Sequence, residues 1–125
     1  NVQNDDHIAL TVAASEVWAF DIWLKCACAT TTKGIKFDMN GPAASTISYG
    51  GISVDVDAAS LADYTSTAAS LSYAVVGATW ELRIKGVYIG GANAGTLRLR
   101  WAQSAADAAG TTVSANSYAI FDKLA

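Results

Sequence analysis

The residues of this chain that could do chemistry near neutral pH are few and scattered. His7 is the only histidine, and its neighbours Asp5 and Asp6 are acids. A Ser-His-Asp or Cys-His catalytic centre needs a histidine beside a nucleophile. We therefore interpret His7 as an exposed polar residue ahead of a strand. Since groups that titrate near neutral pH are almost absent, we expect a protein that is not an enzyme.

Two short motifs could hold a metal ion. Cys26 and Cys28 could form half of a zinc site, but structural zinc needs four ligands and His7 is the one other soft ligand. Asp55 and Asp57 could ligate calcium, but no Asp-x-Asp-x-Asp-Gly loop accompanies them. The sequence therefore predicts no metal and no cofactor. We interpret the cysteines as free, buried thiols and the aspartates as solvated charge on the outside of a strand.

Two glycine pairs, Gly50-Gly51 and Gly90-Gly91, invite comparison with phosphate-binding loops. Neither pair opens a helix, and neither is followed by Gly-Lys-Ser/Thr. We interpret both as turn glycines with positive φ.

Basic residues form two pairs in alternating stretches, Arg83 with Lys85 and Arg98 with Arg100. If the intervening turn makes a hairpin, the two pairs lie on adjacent strands and face outward together. Such a strip could dock on an acidic neighbour, or it could be a solubilising outer face, where Glu81 pairs with an arginine.

Exposed aromatic side chains would indicate carbohydrate binding. The alternation places Trp18, Trp80 and Trp101 on core faces. The remaining candidates either stack on sugars or contact another subunit. They are Trp23, Tyr49, Tyr64 and Tyr88.

Composition limits the classes of partner. The 125 residues suit one domain, yet 52% are hydrophobic and only 15% are charged, where about a quarter is usual. Part of the surface is therefore expected to be covered by other chains. The net charge of −3 and the scattered basic residues argue against nucleic-acid binding. Without a run of about 18 apolar residues, we expect no membrane span.

The elements that must position these residues are strands. Alternation with a period of two recurs along the chain, and no segment keeps helical spacing. We predict an all-β protein, a single antiparallel β-sandwich of about eight strands over residues 8–125, preceded by an N-terminal arm at 1–7. The predicted strands are 7–13, 16–29, 35–39, 46–49, 52–56, 69–76, 79–89, 97–101 and 117–124.

Four stretches carry a resemblance to a known family. They are NDDHIALTVAA at 4–14, EVWAFDIWLKCACATTTKGIKFDMNGPA at 16–43, ELRIKGVYIGGANAGTLRLRWAQ at 81–103 and TTVSANSYAIFDKL at 111–124. In this order they resemble small virion structural proteins of tailed bacteriophages, and residues 46–76 match least. The resemblance implies a jelly-roll-like sandwich, often trimeric, on the outside of a capsid or in a tail appendage. It brings no catalytic residues.

Two functions follow as expectations. The first is a capsid decoration, or cement, protein, made in the host cytoplasm, that binds the outer capsid surface as a homotrimer and stabilises the major capsid protein shell. The alternative is a receptor- or glycan-binding domain of a head fibre or tail appendage. Candidate contacts with the capsid or with other subunits are the acidic arm and the basic pairs: Asn4, Asp5, Asp6, His7, Arg83, Lys85, Arg98 and Arg100.

Overall fold

A computed structural model describes residues 2–28, 34–55, 59–61, 65–66, 71–73, 79–106, 108 and 110–125, with side chains for 2–27, 34–51, 81–106, 108 and 110–125. These residues form eleven strand segments and no helix long and apolar enough to cross a membrane. The strands are β1 (Gln3–Val12), β2 (Val17–Cys28), β3 (Ile35–Asn40), β4 (Thr46–Asp55), β5 (Ala59–Leu61), β6 (Thr65–Ser66), β7 (Leu71–Tyr73), β8 (Thr79–Ile89), β9 (Gly95–Gln103), β10 (Thr111–Val113) and β11 (Tyr118–Lys123).

The strands form two antiparallel sheets. One, the β1 sheet, has the order β1-β9-β3-β7, and the other, the β2 sheet, has the order β10-β2-β8-β4-β5. In the β2 sheet, β11 also pairs with β2, and β6 also pairs with β4. If β5 and β6 are counted as one interrupted strand, the sheet orders are those of an eight-stranded jelly roll with β10 and β11 added along β2. The prediction of an all-β antiparallel sandwich is confirmed.

The core lies between the sheets and consists of the inward residues of alternating strands. From the β2 sheet come aromatic and aliphatic side chains of β2, β4 and β8, and from the β1 sheet those of β1, β3 and β9. Alternation produces this result because side chains along a strand point to opposite faces. The completely buried members include Ile22, Leu24, Phe37, Leu82 and Leu99.

Gly86 is the point of closest packing within the β2 sheet. It lies between Phe20 on β2 and Tyr49 on β4, its partners in register. A Cβ at position 86 would lie 2.5 Å from the Phe20 ring and 2.7 Å from the Tyr49 Cβ, and it would also overlap the Ser48 carbonyl oxygen. Both aromatic side chains therefore occupy the inward space that a side chain at this position would need.

The strand boundaries differ from the prediction at the N-terminus and around Gly50. The first strand begins at Gln3 rather than at His7, so most of the predicted arm is strand, paired at Gln3 and Asn4 with β9. A single strand, β4, runs through Gly50 and Gly51, where a turn was expected. Pairing with β8 on one side holds this stretch extended, with Gly50 opposite Lys85 and Gly51 opposite Ile84.

The interpretation of the glycine pairs as positive-φ turns was wrong. Among the described residues, positive φ occurs at Gly110, Ser15 and Ala44. The constraint at Gly91 is instead close backbone approach, since an added Cβ would overlap the carbonyl oxygen of Ala44. At Gly90 an added Cβ would lie 2.7 Å from the carbonyl oxygen of Glu16.

The connection between β8 and β9 also differs from the expected hairpin. β8 pairs with β2 and β4, whereas β9 pairs with β1 and β3. The chain therefore crosses from one sheet to the other at residues 90–94. The Arg83–Lys85 pair and the Arg98–Arg100 pair accordingly lie on different sheets, and the predicted single basic strip does not form.

The packing at Gly86 gives a stability prediction. We expect Gly86→Ala to lower the free energy of unfolding by about 3 kcal/mol, because the added methyl group has no space between Phe20 and Tyr49. Gly110→Ala is the matched control. The φ of Gly110 is +68°, but nothing lies within 4 Å of the added carbon, so we expect the free energy of unfolding to fall by only about 1 kcal/mol. Urea unfolding of both variants measures the difference. Equal losses would contradict the packing argument.

Candidate binding surfaces

The outward surface of β2, β8 and β11, here called the β2 face, carries the exposed apolar side chains. Every large hydrophobic side chain that is exposed in the described part of the chain belongs to β8, to β11 or to the residue after β11. Apolar area gathered in this way is typical of a surface that contacts another protein. The five residues are Val87, Ile89, Tyr118, Ile120 and Leu124.

Charged residues lie beside these apolar side chains. The Arg83 Nη2 and Lys85 Nζ atoms lie 3.7 Å and 3.6 Å from the same oxygen, Oδ2 of Asp21. The side chains of Arg83 and Lys85 are 52% and 60% exposed, so these contacts are weak and both cations protrude into solvent. Two cations share this carboxylate, and Glu81, exposed on the same surface of β8, lies opposite Lys25.

The aromatic candidates for sugar binding fall into different environments. Tyr49 and Tyr88 are completely buried, so the expectation that they are exposed was wrong. Trp23 stacks on Tyr118, with ring centroids 5.6 Å apart and planes at 27°. Each ring therefore turns one face to the other rather than to solvent. Tyr64 lies outside the described residues.

A cleft opens on the side of the sandwich where the two sheets part. It has a volume of about 720 Å³ and is lined by the beginning of β1, by the end of β9 and by the residues from Val113 to Ser117. β1 is an edge strand of one sheet, and β10 and β11 lie along the edge of the other. We call this space the seam cleft. Its lining includes Asp5, Asp6 and His7, and no lysine or arginine.

Asp5 shapes the seam cleft. Between Asn4 and Ala9 the register of β1 shifts, because β1 advances five residues while β9 advances only from Arg100 to Arg98. The Asp5 Oδ1 atom accepts hydrogen bonds from the backbone N–H groups of His7 and Ile8, at 2.9 and 2.7 Å, within this bulge. The side chain therefore caps the bulge and fixes its conformation.

Trp101, on the neighbouring strand β9, is hydrogen-bonded to the bulge. Its indole Nε1 donates to the Asp5 Oδ2 atom at 3.1 Å. The ring is partly buried, packs against the core and also lines the cleft. The prediction that Trp101 is a core residue is therefore confirmed only in part, since the ring packs against the core but also lines the cleft.

His7 and Asp6 remain exposed on the bulge. Asp5, in contrast, is half-buried and accepts three hydrogen bonds, so it belongs to the internal structure. Two carboxylates line the cleft. Among the described residues, the Asp6 side chain accepts no hydrogen bond, in contrast to Asp5. Asp6 is therefore the better candidate for an external contact.

The other basic pair lies on the outward surface of the β1 sheet. Arg100 forms a two-pronged ion pair with Asp38, with its Nε and Nη2 atoms 2.7 and 2.8 Å from the two carboxylate oxygens. Asp38 is buried, and its hydrogen bonds raise the pKa of Arg100. Arg98 is half-buried. Because its charge is already paired within the sheet, Arg100 has a structural role and is a weaker candidate for the predicted external contact.

Glu16 ties the C-terminus to the beginning of β2. Its Oε1 atom accepts from Lys123 Nζ at 2.5 Å, and its Oε2 atom accepts from Ala13 N and from the Trp18 indole at 2.9 and 3.1 Å. The hydrogen bond from Lys123, followed by those from Ala13 and Trp18, lowers the pKa of Glu16 to about 2. The backbone of Val17 also bonds to Leu124 and Ala125.

The metal candidates do not assemble into a site among the described residues. Cys26 is a free, buried thiol, and burial raises its pKa to about 12, which makes it unreactive near neutral pH. The side chains of Cys28, Asp55 and Asp57 lie outside the described part. Within that part, no three histidine, cysteine or acidic side chains are close enough to share an ion.

A scan against protein-family models, a search of curated proteins and a search of solved structures found no match to this chain. Evidence on function therefore comes from the surfaces just described.

The seam cleft was missed at the sequence level. Its lining comes from three segments far apart in the chain, and their meeting depends on the sheet order. The local signal that could have indicated the bulge is Asp5-Asp6-His7, since aspartate readily caps backbone N–H groups two and three residues ahead.

The Asp38–Arg100 pair gives a second prediction. We expect Asp38→Asn to lower the free energy of unfolding by about 2 kcal/mol, because Arg100 loses the carboxylate that pairs with it. Asp21→Asn, at an exposed pair, should cost less than about 0.5 kcal/mol. Chemical denaturation of both variants compares them. A loss no larger at Asp38 than at Asp21 would contradict the structural role of the buried pair.

Glu16 gives a prediction on pH. Its pKa is lower in the folded protein than the ordinary 4.5, so its carboxylate stabilises the fold above pH 4.5, and this contribution is lost as the pH falls toward 2. Glu16→Gln should melt at a lower temperature than the natural chain at neutral pH, and the gap should close between pH 4.5 and 2. Melting temperatures measured across this range test it. A gap of constant size would refute the assignment.

Proposed function

We propose that the protein is a structural subunit of a virion, a decoration or cement protein of a tailed bacteriophage. In this proposal a homotrimer binds the outer surface of the capsid and stabilises the shell of the major capsid protein. The observation that carries the proposal is the β2 face, on which the exposed apolar side chains are gathered. An apolar surface of this kind is stabilised when another chain covers it.

Composition and fold support the same function. Only 15% of the residues are charged, so little charge is available to keep this much apolar surface in water. The sandwich agrees with the fold that the resemblance to virion proteins implies. A trimer links three weak contacts with the shell in one particle, so avidity replaces any need for a strong single contact.

A receptor- or glycan-binding domain of a head fibre or tail appendage is the second candidate. The seam cleft favours it, because an indole ring and several polar side chains line one concave surface. The buried Tyr49 and Tyr88, and the Trp23 ring stacked on Tyr118, weigh against it.

The proposal is tested by mass and by capsid binding. Light scattering should give the mass of three chains, and the protein should sediment with capsids that lack it, prepared from the phage whose genome encodes it. Ile89→Lys combined with Ile120→Lys should dissociate the trimer and abolish sedimentation with capsids, because both charges would be buried in the contact.

Ala9→Lys combined with Thr11→Lys is the matched control, since both residues are exposed on β1, outside the β2 face. This control should remain trimeric. The proposal would be overturned if the natural chain stays monomeric at all concentrations and does not sediment with the capsids. Binding to neutral glycans without binding to capsids would favour the second candidate.

A further inference from the structure

We propose that the seam cleft of one copy is the docking site for the Arg83–Lys85 pair on the β2 face of the next copy. The inference rests on the proposed homotrimer and names the two surfaces that meet in it. Each copy contributes both surfaces, so the contact is head-to-tail, and each copy is bound twice.

The charge of the cleft supports this occupant. Asp5 and Asp6 line it, and no lysine or arginine does. Both carboxylate oxygens of Asp5 accept hydrogen bonds at the bulge, and Asp6 is exposed. The cleft is therefore negative and disfavours anions, whereas it attracts a cationic group brought close to its wall.

The protruding partner has the opposite charge and shape. Arg83 and Lys85 are two positions apart on β8, so both side chains project from the same outward surface. They share the carboxylate of Asp21, and Glu81, on the same surface of β8, lies opposite Lys25. These three cations and two acids together carry one positive charge in excess. An exposed cationic pair thus matches a concave acidic cleft, and its long side chains can reach into it.

The neighbouring apolar residues strengthen the match. Ile120 pairs in register with Asp21, and Asp21 pairs with Lys85. The apolar side chain therefore lies on the same row as the cation, two strands away, with Asp21 between them. Docking of the cations would bring Ile120 and Tyr118 against the wall of the neighbouring cleft, where Val113 and Ala115 lie. The contact would then combine charge attraction with burial of the exposed apolar area.

The positions of the two surfaces favour a closed ring. The cleft opens at the side of the sandwich, between the edges of the sheets, while the cations project from the front of the β2 sheet. A head-to-tail contact between adjacent rather than opposite sides turns the direction of growth with each copy. Repetition of such a turn is compatible with a cyclic oligomer, whereas a contact between opposite sides would extend a straight filament.

This contact also narrows the expected role of the N-terminal residues. Asp5, Asp6 and His7 were candidates for contact with the capsid or with other subunits, and so were Arg83 and Lys85. In the present proposal the two groups face each other across the boundary between copies. Contact with the shell is then left to other surfaces of the trimer.

Charge reversal tests the contact. Asp6→Lys alone, and Arg83→Glu combined with Lys85→Glu, should each weaken trimer formation at least about tenfold, because like charges would meet in every contact. The chain that carries all three reversals should regain part of the lost association, since the cation introduced at position 6 then meets the introduced acids, while Asp5 is unchanged. Sedimentation velocity over a concentration series gives the dissociation constants, and near-ultraviolet circular dichroism checks the fold of each variant.

Arg98→Glu, on the outward surface of the other sheet, is the control reversal and should leave the trimer unchanged. If either docking variant fails to fold, Asp6→Asn and Lys85→Gln replace the reversals and should each weaken association a few-fold. Trimers that persist in the reversed chains, or that the triple reversal does not even partly restore, overturn this contact but leave the trimer intact. A natural chain that is monomeric overturns the proposed function itself.

Discussion

The pairing of β2 with β8 is the constraint on which the rest of the structure depends. Eleven residue pairs run without a shift from Val17 opposite Ile89 to Ala27 opposite Thr79. This register decides at once which side chains enter the core and which form the β2 face, because a slip of one residue would exchange the two sets. Gly86 holds the register from within, since Phe20 and Tyr49 close over it. Core packing and the apolar outer surface are therefore two results of the same alignment.

The two sheets end in different ways at their edges. Along β2, the short β10 and the longer β11 extend the sheet, while β1 forms the edge of the opposite sheet. A bulge in β1 moves the chain away from β9, and Asp5 holds the displaced backbone in place. The same carboxylate accepts a hydrogen bond from the Trp101 indole, so it joins two parts of the wall of the seam cleft. Bulges at edges also discourage uncontrolled strand pairing.

Much of the sandwich could be predicted from alternation alone, because inward and outward residues follow the strand period of two. The run around Ile22 and Leu24 and the run around Leu82 and Ile84 both gave their buried faces correctly. Sheet order could not be predicted this way. The turn after β8 looks like a hairpin, yet the chain crosses between sheets there, which separates Arg83 from Arg98. The cleft was missed for the same reason, and the bulge that turns Asp5 inward depends on a partner, Trp101, that is far away in sequence.

The central claim is that the β2 face is covered in the assembled protein. Tyr118 and Ile120 are 47% and 53% exposed in the single copy. Hydroxyl-radical footprinting measures the reactivity of individual side chains, and it can be run on dilute and on concentrated protein. The account predicts that Tyr118 and Ile120 lose most of their reactivity at the concentration where the mass rises, while Tyr49, buried in every state, stays unreactive. The account would be contradicted if the mass rises with concentration but Tyr118 and Ile120 react equally well at both concentrations.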